Sequence, residues 1–517
     1  MRQWLSRNFT LIFILILALI LRLPLLNGSF WLDEAAQTLE ADRQFSQQLQ
    51  IEDDFQPPLL HLITFFAIQF NQSEAWLRFC GALIPGLLTI WGTYLLGQKL
   101  VSKKVGLLAA LFLATSSFHI YFSQELRPYS LSAVFVIWSW FFLLESQKVG
   151  QDMYQLKPKN ILNKFFALFP VSRDFFLFLL TSILGLYSSY LYPFVLLSQI
   201  IFLWREKKIS QTLYAIAIPS IAFLPWLPSF LGQLQAGQAL RASFPGWENV
   251  VSFSLWRAPT LTFGKFLFGV INLDINFSFI AITLIFCALS LIILFSQRRQ
   301  FWRQHRQKLS LWFYFLILPF LLASLISIFV PVIQPKRVIY LLPFLYLLLS
   351  FLILGTRDQW SKLNFTNWSL LILILAINLF STFTYYTEPN LQRENWRHAL
   401  NTLHQDYQTT DTLAVFTYEE PFSPWRWYEQ KNNDQFPTLS TGNYDTSQLE
   451  NLNIVLSPIG NYQNIIVFDY LRSLTDQENL LPKYLTNLGY TETRIYDYPN
   501  LGFIRIYSRL NPESILK

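Results

Sequence analysis

Charge is what this sequence has least of. Only 14% of its 517 residues are Asp, Glu, Lys or Arg, while 53% are hydrophobic and 17% are aromatic. With a mean hydropathy of +0.32, an ordinary water-soluble globular domain is excluded, because its core could not absorb so much apolar surface. Cysteine is almost missing as well. Cys80 and Cys287 both fall within apolar runs, which argues against a disulfide and for two small buried hydrophobes. Histidine is sparse, and His61, His119, His305, His398 and His404 show no metal-ligand spacing, so there is no zinc motif. The sequence also has no glycine-rich phosphate loop, no internal repeat and no low-complexity tract.

What the chain does have is a succession of long charge-free runs, each long enough to cross hydrocarbon, through its first three quarters. The first, Phe9 to Leu21, follows Arg2 and Arg7. No small-residue cleavage site comes after it, and Arg22, Pro24, Asp33 and Glu34 follow instead, so it reads as an uncleaved span. The net charge of +7 comes from short basic clusters between apolar runs. Such clusters are orientation signals of a membrane protein, and a nucleic-acid partner is not expected.

About eleven spans are expected, near residues 9–26, 74–98, 105–122, 127–145, 173–188, 190–204, 211–230, 275–296, 310–331, 338–355 and 367–386. With the N-terminus in the cytoplasm, the inner loops carry Lys99, Lys103 and Lys104; Lys148, Lys157, Lys159 and Lys164; Arg205, Lys207 and Lys208; Arg298, Arg299, Arg303, Arg306 and Lys308; then Arg357 and Lys362. The outer loops carry Asp33, Glu34, Asp42, Glu52, Asp53 and Asp54; Glu125 and Arg127; an aromatic stretch from Trp247 to Trp256; and Lys336 with Arg337. The pair of spans around Tyr187 to Tyr192 rests on breaking an apolar stretch of roughly thirty residues into two helices, since one helix that long exceeds the bilayer. Pro57 to Phe70 is apolar but short and reads as a juxtamembrane helix on the outer face.

The division expected is a transmembrane domain over residues 1–386, with a first outer loop at 27–73, and a soluble extracytoplasmic domain over 387–517. From Thr387 on, Asn, Gln, Asp and Thr return. A helix over Gln392 to Tyr407, strands at Thr412 to Phe416 and Asn464 to Phe468, a helix over Gln477 to Leu488, and strands near Arg494 to Tyr496 and Phe503 to Tyr507 make a small α/β domain.

Three outer junctions concentrate the polar chemistry. Phe30-Trp31-Leu32-Asp33-Glu34-Ala35 places two carboxylates just past the first span, where they are costly unless used or paired. They are either solvated loop acids or the source of a general base, since burial pushes a carboxylate toward the working pH. Ser123-Gln124-Glu125-Leu126-Arg127-Pro128-Tyr129 sits at the second junction, where Glu125 and Arg127 either pair with each other or serve a substrate. Gln334-Pro335-Lys336-Arg337-Val338-Ile339-Tyr340 lies at the third. A Lys-Arg pair on an outer loop runs against the positive-inside rule, and it suits either lipid headgroups or a substrate phosphate.

Taken together, these motifs resemble the membrane glycosyltransferases of the GT-C fold, the bacterial family 39-like enzymes related to protein mannosyltransferases and to the aminoarabinose transferase of lipid A. Trp31-Leu32-Asp33-Glu34 is similar to the family's first-loop acidic motif, and Gln56-Pro57-Pro58-Leu59-Leu60-His61 to its proline-proline-leucine juxtamembrane helix. The Ser123 to Tyr129 segment, Leu224-Pro225-Trp226-Leu227-Pro228, Lys336-Arg337-Val338-Ile339-Tyr340-Leu341-Leu342-Pro343 and Glu394-Asn395-Trp396-Arg397 resemble further signatures, in the expected order. The sequence departs at Ser188-Ser189-Tyr190, where relatives often read Thr-His-Tyr; a serine cannot replace an imidazole.

The resemblance implies a polytopic α-helical membrane protein of the GT-C type, resident in the plasma membrane, with a small C-terminal α/β extracytoplasmic domain. It implies inverting transfer of a sugar from a polyprenyl-phosphate donor to an extracytoplasmic lipid, glycan or protein acceptor. Asp33 and Glu34 become the catalytic candidates, with Arg127, Lys336 and Arg337 for the donor phosphate. His61, Gln124, Glu125, Tyr129 and Tyr340 become candidates for substrate contact. No cofactor is required, and a divalent cation held by Asp33 and Glu34 is an open possibility. The competing readings are a transporter, which would place charge along the spans near the midplane, and a membrane-anchored glycan-binding protein without catalysis. Within the spans charge is nearly absent and polar residues gather at the outer ends, which favours interfacial chemistry.

Overall fold

The computed structural model of the chain describes residues 2–51, 54–147, 172–243, 257–272, 276–296, 310–330, 333–355 and 363–509. Glu52, Asp53, the basic groups Lys148 to Lys164, Arg298 to Lys308, Arg357 and Lys362, and the aromatic stretch Trp247 to Trp256 lie outside the described residues. The chain forms two compact units: one of Met1–Leu26, Gln56–Phe230 and Ser252–Thr387, the other of Asn27–Phe55, Leu231–Val251 and Glu388–Lys517.

The first unit is helical. Among the described residues, five helices are long and apolar enough to cross a membrane: Glu74–Leu100, Tyr129–Ser146, Ile209–Ala239, Phe277–Ser296 and Phe365–Thr387. Asn8–Ile20, Leu59–Ile68, Tyr192–Arg205, Ser310–Ile326 and Ile339–Leu354 are apolar but shorter. The protein is therefore a multi-pass membrane protein. The apolar stretch expected to break does so: helices Arg173–Leu186 and Tyr192–Arg205 flank the turn, and Pro193 opens the second, where its missing N–H costs nothing. The span expected over 211–230 lies within a longer helix, Ile209–Ala239, which runs on through Pro219, Pro225 and Pro228. A 3-10 turn at Leu224–Trp226 absorbs the proline-rich segment and buries Trp226, whose indole N–H donates to the Tyr190 hydroxyl at 3.0 Å.

Small residues set the tightest packing. A Cβ on Gly106 would sit 2.3 Å from the Tyr94 carbonyl oxygen, and one on Gly97 would sit 2.6 Å from the Gly106 Cα. Helices Ile84–Leu100 and Lys103–Thr115 approach backbone to backbone there, as membrane helices do when nothing but close contact favours their association. Buried polar side chains tie helices together as well. The Asn378 amide donates to the Phe112 carbonyl at 3.0 Å and accepts from the Tyr346 hydroxyl at 3.1 Å.

The second unit carries a five-stranded sheet in the order β2-β1-β3-β5-β4, with β1 Thr412–Phe416, β2 Thr438–Ser440, β3 Asn464–Phe468, β4 Tyr490–Tyr498 and β5 Gly502–Arg509. β1 pairs in parallel with β2 and β3, and every residue of it is buried, which is why it reads as an unbroken apolar run. β3 and β5 are antiparallel, as are β4 and β5, whose tight connection places Asn500 and Gly502 at φ of 64° and 82°. The helix expected over Gln392 to Tyr407 spans Trp396–Asp406, preceded by a 3-10 turn at Pro389–Leu391. An aromatic core of Trp396, Phe416, Phe422, Trp425 and Phe468 fills the side toward that helix.

The Asn27–Phe55 segment is built into this unit. The Tyr428 hydroxyl accepts from the Phe30 N–H at 2.7 Å, the Ser29 hydroxyl accepts from the Arg397 N–H at 3.1 Å, and the Arg397 guanidinium donates to the Asn27 carbonyl at 2.8 Å.

Candidate active site

The two carboxylates of the first junction open helix Leu32–Ala41. Trp31 precedes it in an extended conformation and offers no side-chain cap, so acids in the first turn meet the unsatisfied N–H groups and the positive end of the helix dipole. Neighbours on a helix point about 100° apart, and the pair diverges accordingly. Glu34 is fully buried, with its carboxylate 3.8 Å from the Arg393 guanidinium, whereas Asp33 keeps part of its surface exposed.

A third carboxylate, Glu394, faces the same turn. It accepts from the Trp396 indole N–H at 2.7 Å and from the Tyr470 hydroxyl at 2.8 Å. A backbone hydrogen bond links it to Leu32, and the Asp33 charge acts on it. Burial, reinforced by Asp33, pushes the Glu394 carboxyl up to about 7 against the pull of these donors. Burial and the Glu394 carboxylate raise the Tyr470 hydroxyl well above its ordinary value.

In the first unit, the second junction is organised by a buried cation. Arg22, fully buried, donates to the Ala18 and Ala114 carbonyls at 2.8 and 3.0 Å and lies 2.7 Å from His119 Nδ1, which must therefore accept. The Gln124 amide donates to the carbonyls of Arg22 and Pro24, and its own carbonyl accepts from the Tyr385 hydroxyl at 3.1 Å. Gln124 and Glu125 are thus buried in a tight turn, closed by the Arg127 N–H donating to the Glu125 carbonyl at 2.7 Å. Arg127 is buried and Tyr129 starts the next helix.

The second and third junctions meet: the Lys336 ammonium lies 5.8 Å from the centroid of the Tyr129 ring. The Arg337 N–H donates to the Gln334 carbonyl at 3.0 Å, and both basic side chains are partly exposed while Tyr340 is buried in the 3-10 turn Ile339–Leu341. His61 is fully buried on helix Leu59–Ile68. Ser188 bonds back to the Gly185 carbonyl at 2.8 Å.

Arg22, Tyr385, Arg393 and Tyr470 are the residues that sequence reasoning missed. Arg22 carried a signal, a charge directly after an apolar run, but it was legible only as evidence against cleavage. Arg393 finds Glu34 across hundreds of residues of sequence, and Tyr470 finds Glu394 across 76.

As to a metal, the donor set is thin. Among the described residues no group of three or more His, Cys, Asp or Glu stands together, and Glu34 is engaged by Arg393. No step is routed through a metal ion.

The fold has known counterparts in solved structures. ArnT from Cupriavidus metallidurans superposes in its apo state with a TM-score of 0.55 at 11% identity over 98% of each chain. Its form bound to undecaprenyl phosphate gives 0.51 at 10% identity, over 98% of this chain and 99% of that one. The oligosaccharyltransferase of Archaeoglobus fulgidus, solved with zinc and sulfate, gives 0.51 at 12% identity over 96% of this chain and 72% of that one. The chain has the GT-C fold of membrane glycosyltransferases along nearly its whole length. No protein-family model and no curated protein matches the sequence.

Proposed function

We propose that the protein transfers a sugar from a polyprenyl-phosphate donor to an acceptor hydroxyl outside the cytoplasm, with inversion at the anomeric carbon. The observation that carries the reading is the first turn of helix Leu32–Ala41. There a partly exposed carboxylate, Asp33, stands beside a buried ion pair and a half-buried, hydrogen-bonded acid, Glu394, that hold it in place. Whole-chain likeness to an ArnT structure bound to undecaprenyl phosphate supports the donor class.

In this reading Asp33 accepts the proton of the acceptor hydroxyl as its oxygen forms a bond to the anomeric carbon from the face opposite the phosphate. The carbon–oxygen bond to the leaving phosphate breaks, and the electron pair stays on that oxygen. Arg127, Lys336 and Arg337 complement the growing charge; one well-placed donor of this kind is worth roughly 3 kcal/mol of barrier. Glu34 supports Asp33 through its ion pair with Arg393. Buried Gln124, Glu125, His61 and Tyr340 shape the junctions, and Tyr129 places Lys336.

The test is consumption of radiolabelled donors from a panel of polyprenyl-phosphate sugars by the purified chain in lipid. Transfer or slow hydrolysis of one member, with an inverted anomeric product, is expected. A folded protein that consumes no donor with any of lipid, glycan or protein acceptors, yet moves a solute across vesicles, would contradict the proposal.

A further inference from the structure

The helix that presents Asp33 has no cap of its own, and the residues Arg393 and Glu394 supply what is missing. Trp31 contributes no side-chain acceptor to the first turn. Glu394 approaches that turn from the segment after the last long apolar helix and takes a backbone hydrogen bond with Leu32, the first helical residue. Its own orientation is fixed from two sides, by the Trp396 indole at 2.7 Å and the Tyr470 hydroxyl at 2.8 Å, so that each carboxylate oxygen has a donor. The neighbouring Arg393 holds Glu34, one residue beyond Asp33, at 3.8 Å. Asp33 is therefore bracketed along the chain, with the residue before it bound by Glu394 and the residue after it bound by Arg393.

An acid drawn this far out of water is expensive to keep and is retained only where its hydrogen bonds return something. Here they fix one element. Trp396 is packed against Phe468 and Tyr470 in the aromatic core, so the carboxylate is anchored to the rigid sheet and not to a loop.

We infer that Glu394, with Arg393, is a positioning residue that clamps the first turn of the Leu32–Ala41 helix and so sets where the Asp33 carboxylate stands. The consequence for activity rests on the reading of Asp33 as the base; the clamp itself does not. Removing the clamp leaves donor binding alone and misplaces the base, so it lowers kcat and spares the donor KM. Misplacement of about 1 Å at a reacting group costs roughly a hundredfold.

The experiment uses the full chain in lipid, in four forms besides wild type: Glu394→Ala, Glu394→Gln, Tyr470→Phe and Asp33→Asn. Hydrogen exchange of the peptide covering Leu32–Ala41 and steady-state donor kinetics are both measured. For Glu394→Ala, exchange over that peptide rises at least tenfold while the sheet stays protected, kcat falls at least tenfold, and donor KM stays within twofold. Glu394→Gln, whose amide oxygen still accepts and whose NH2 can donate to Tyr470, keeps exchange over the peptide no faster than in wild type and restores kcat to within about threefold of it. Tyr470→Phe keeps the fold if Glu394→Ala does not, and raises exchange over the same peptide by a smaller factor. Unchanged exchange over Leu32–Ala41 in Glu394→Ala and Tyr470→Phe overturns the clamp whatever the kinetics show. Raised exchange with unchanged kcat, while Asp33→Asn is inactive, overturns its role in positioning and leaves the proposed reaction standing. If Asp33→Asn keeps full transfer, the reading of Asp33 falls, and raised exchange still upholds the clamp as a structural one.

Discussion

Glu394 makes the sharpest physical prediction, because its protonation should be written into the stability of the element it holds. Burial raises its carboxyl to about 7 in the folded protein, from 4.5 as the ordinary value. An acid whose folded pKa lies above its unfolded one binds more protons when folded. Its contribution to stability is present in full below about 4.5 and is lost as the pH rises through about 7. At about 1.36 kcal/mol per unit, a shift of 7 − 4.5 = 2.5 corresponds to roughly 3 kcal/mol, or on the order of a hundredfold in the opening equilibrium. The assay is hydrogen exchange over Leu32–Ala41 from pH 5 to 8, corrected for intrinsic rates, in the regime where reclosing outpaces exchange. In the wild type the opening free energy falls by about 2–3 kcal/mol across that range, and in Glu394→Gln, which carries no proton to lose, the fall disappears. Equal pH dependence in the two proteins, or stability that grows with pH in the wild type, would refute the argument.

Other outcomes follow from the same geometry. Arg337→Ala should raise the donor KM or lower kcat by roughly a hundredfold if it touches the phosphate, and unchanged values of both would remove it from that role. Gly106→Ala forces a methyl within 2.3 Å of the Tyr94 carbonyl oxygen, so the unfolding midpoint in detergent should fall by an amount equivalent to about 1–3 kcal/mol, whereas Gly442→Ala, with open space around it but a φ of 72°, should cost about 1 kcal/mol. Lys336→Gln removes the cation over the Tyr129 ring; transfer should weaken with the salt sensitivity of donor use reduced, which a titration of rate against ionic strength reads directly.

How much of this was legible in the sequence depends on whether the information is local. Thr412–Phe416 and Asn464–Phe468 are strands at the expected residues, because a central strand buried on both faces needs an unbroken apolar run and shows one. β2 is only three residues long, Thr438–Ser440, and leaves no periodic trace. Helix Trp396–Asp406 starts four residues late because the polar run before it looks helical by composition yet opens on a 3-10 turn. The apolar runs announced a membrane protein, but not how many of them have full span length: Tyr192–Arg205 and Ile339–Leu354 are too short, by residue count, to show as spans by themselves.

The site divides along the same line. Asp33 and Glu34 look equivalent in sequence, and only the helix tells them apart, turning Glu34 inward onto Arg393 and leaving Asp33 at the surface. Glu394 was visible only as part of a motif by resemblance. Its charge looked like any acid of a soluble domain until Tyr470, Trp396 and Leu32 surrounded it.

The central claim is tested most directly by following release of free polyprenyl phosphate from the donor that the wild type consumes, in wild type and in Asp33→Asn, with both proteins shown to be folded. Loss of a general base should lower release by about 10²–10⁴-fold while the donor KM changes little. Release by Asp33→Asn at the wild-type rate would contradict the account.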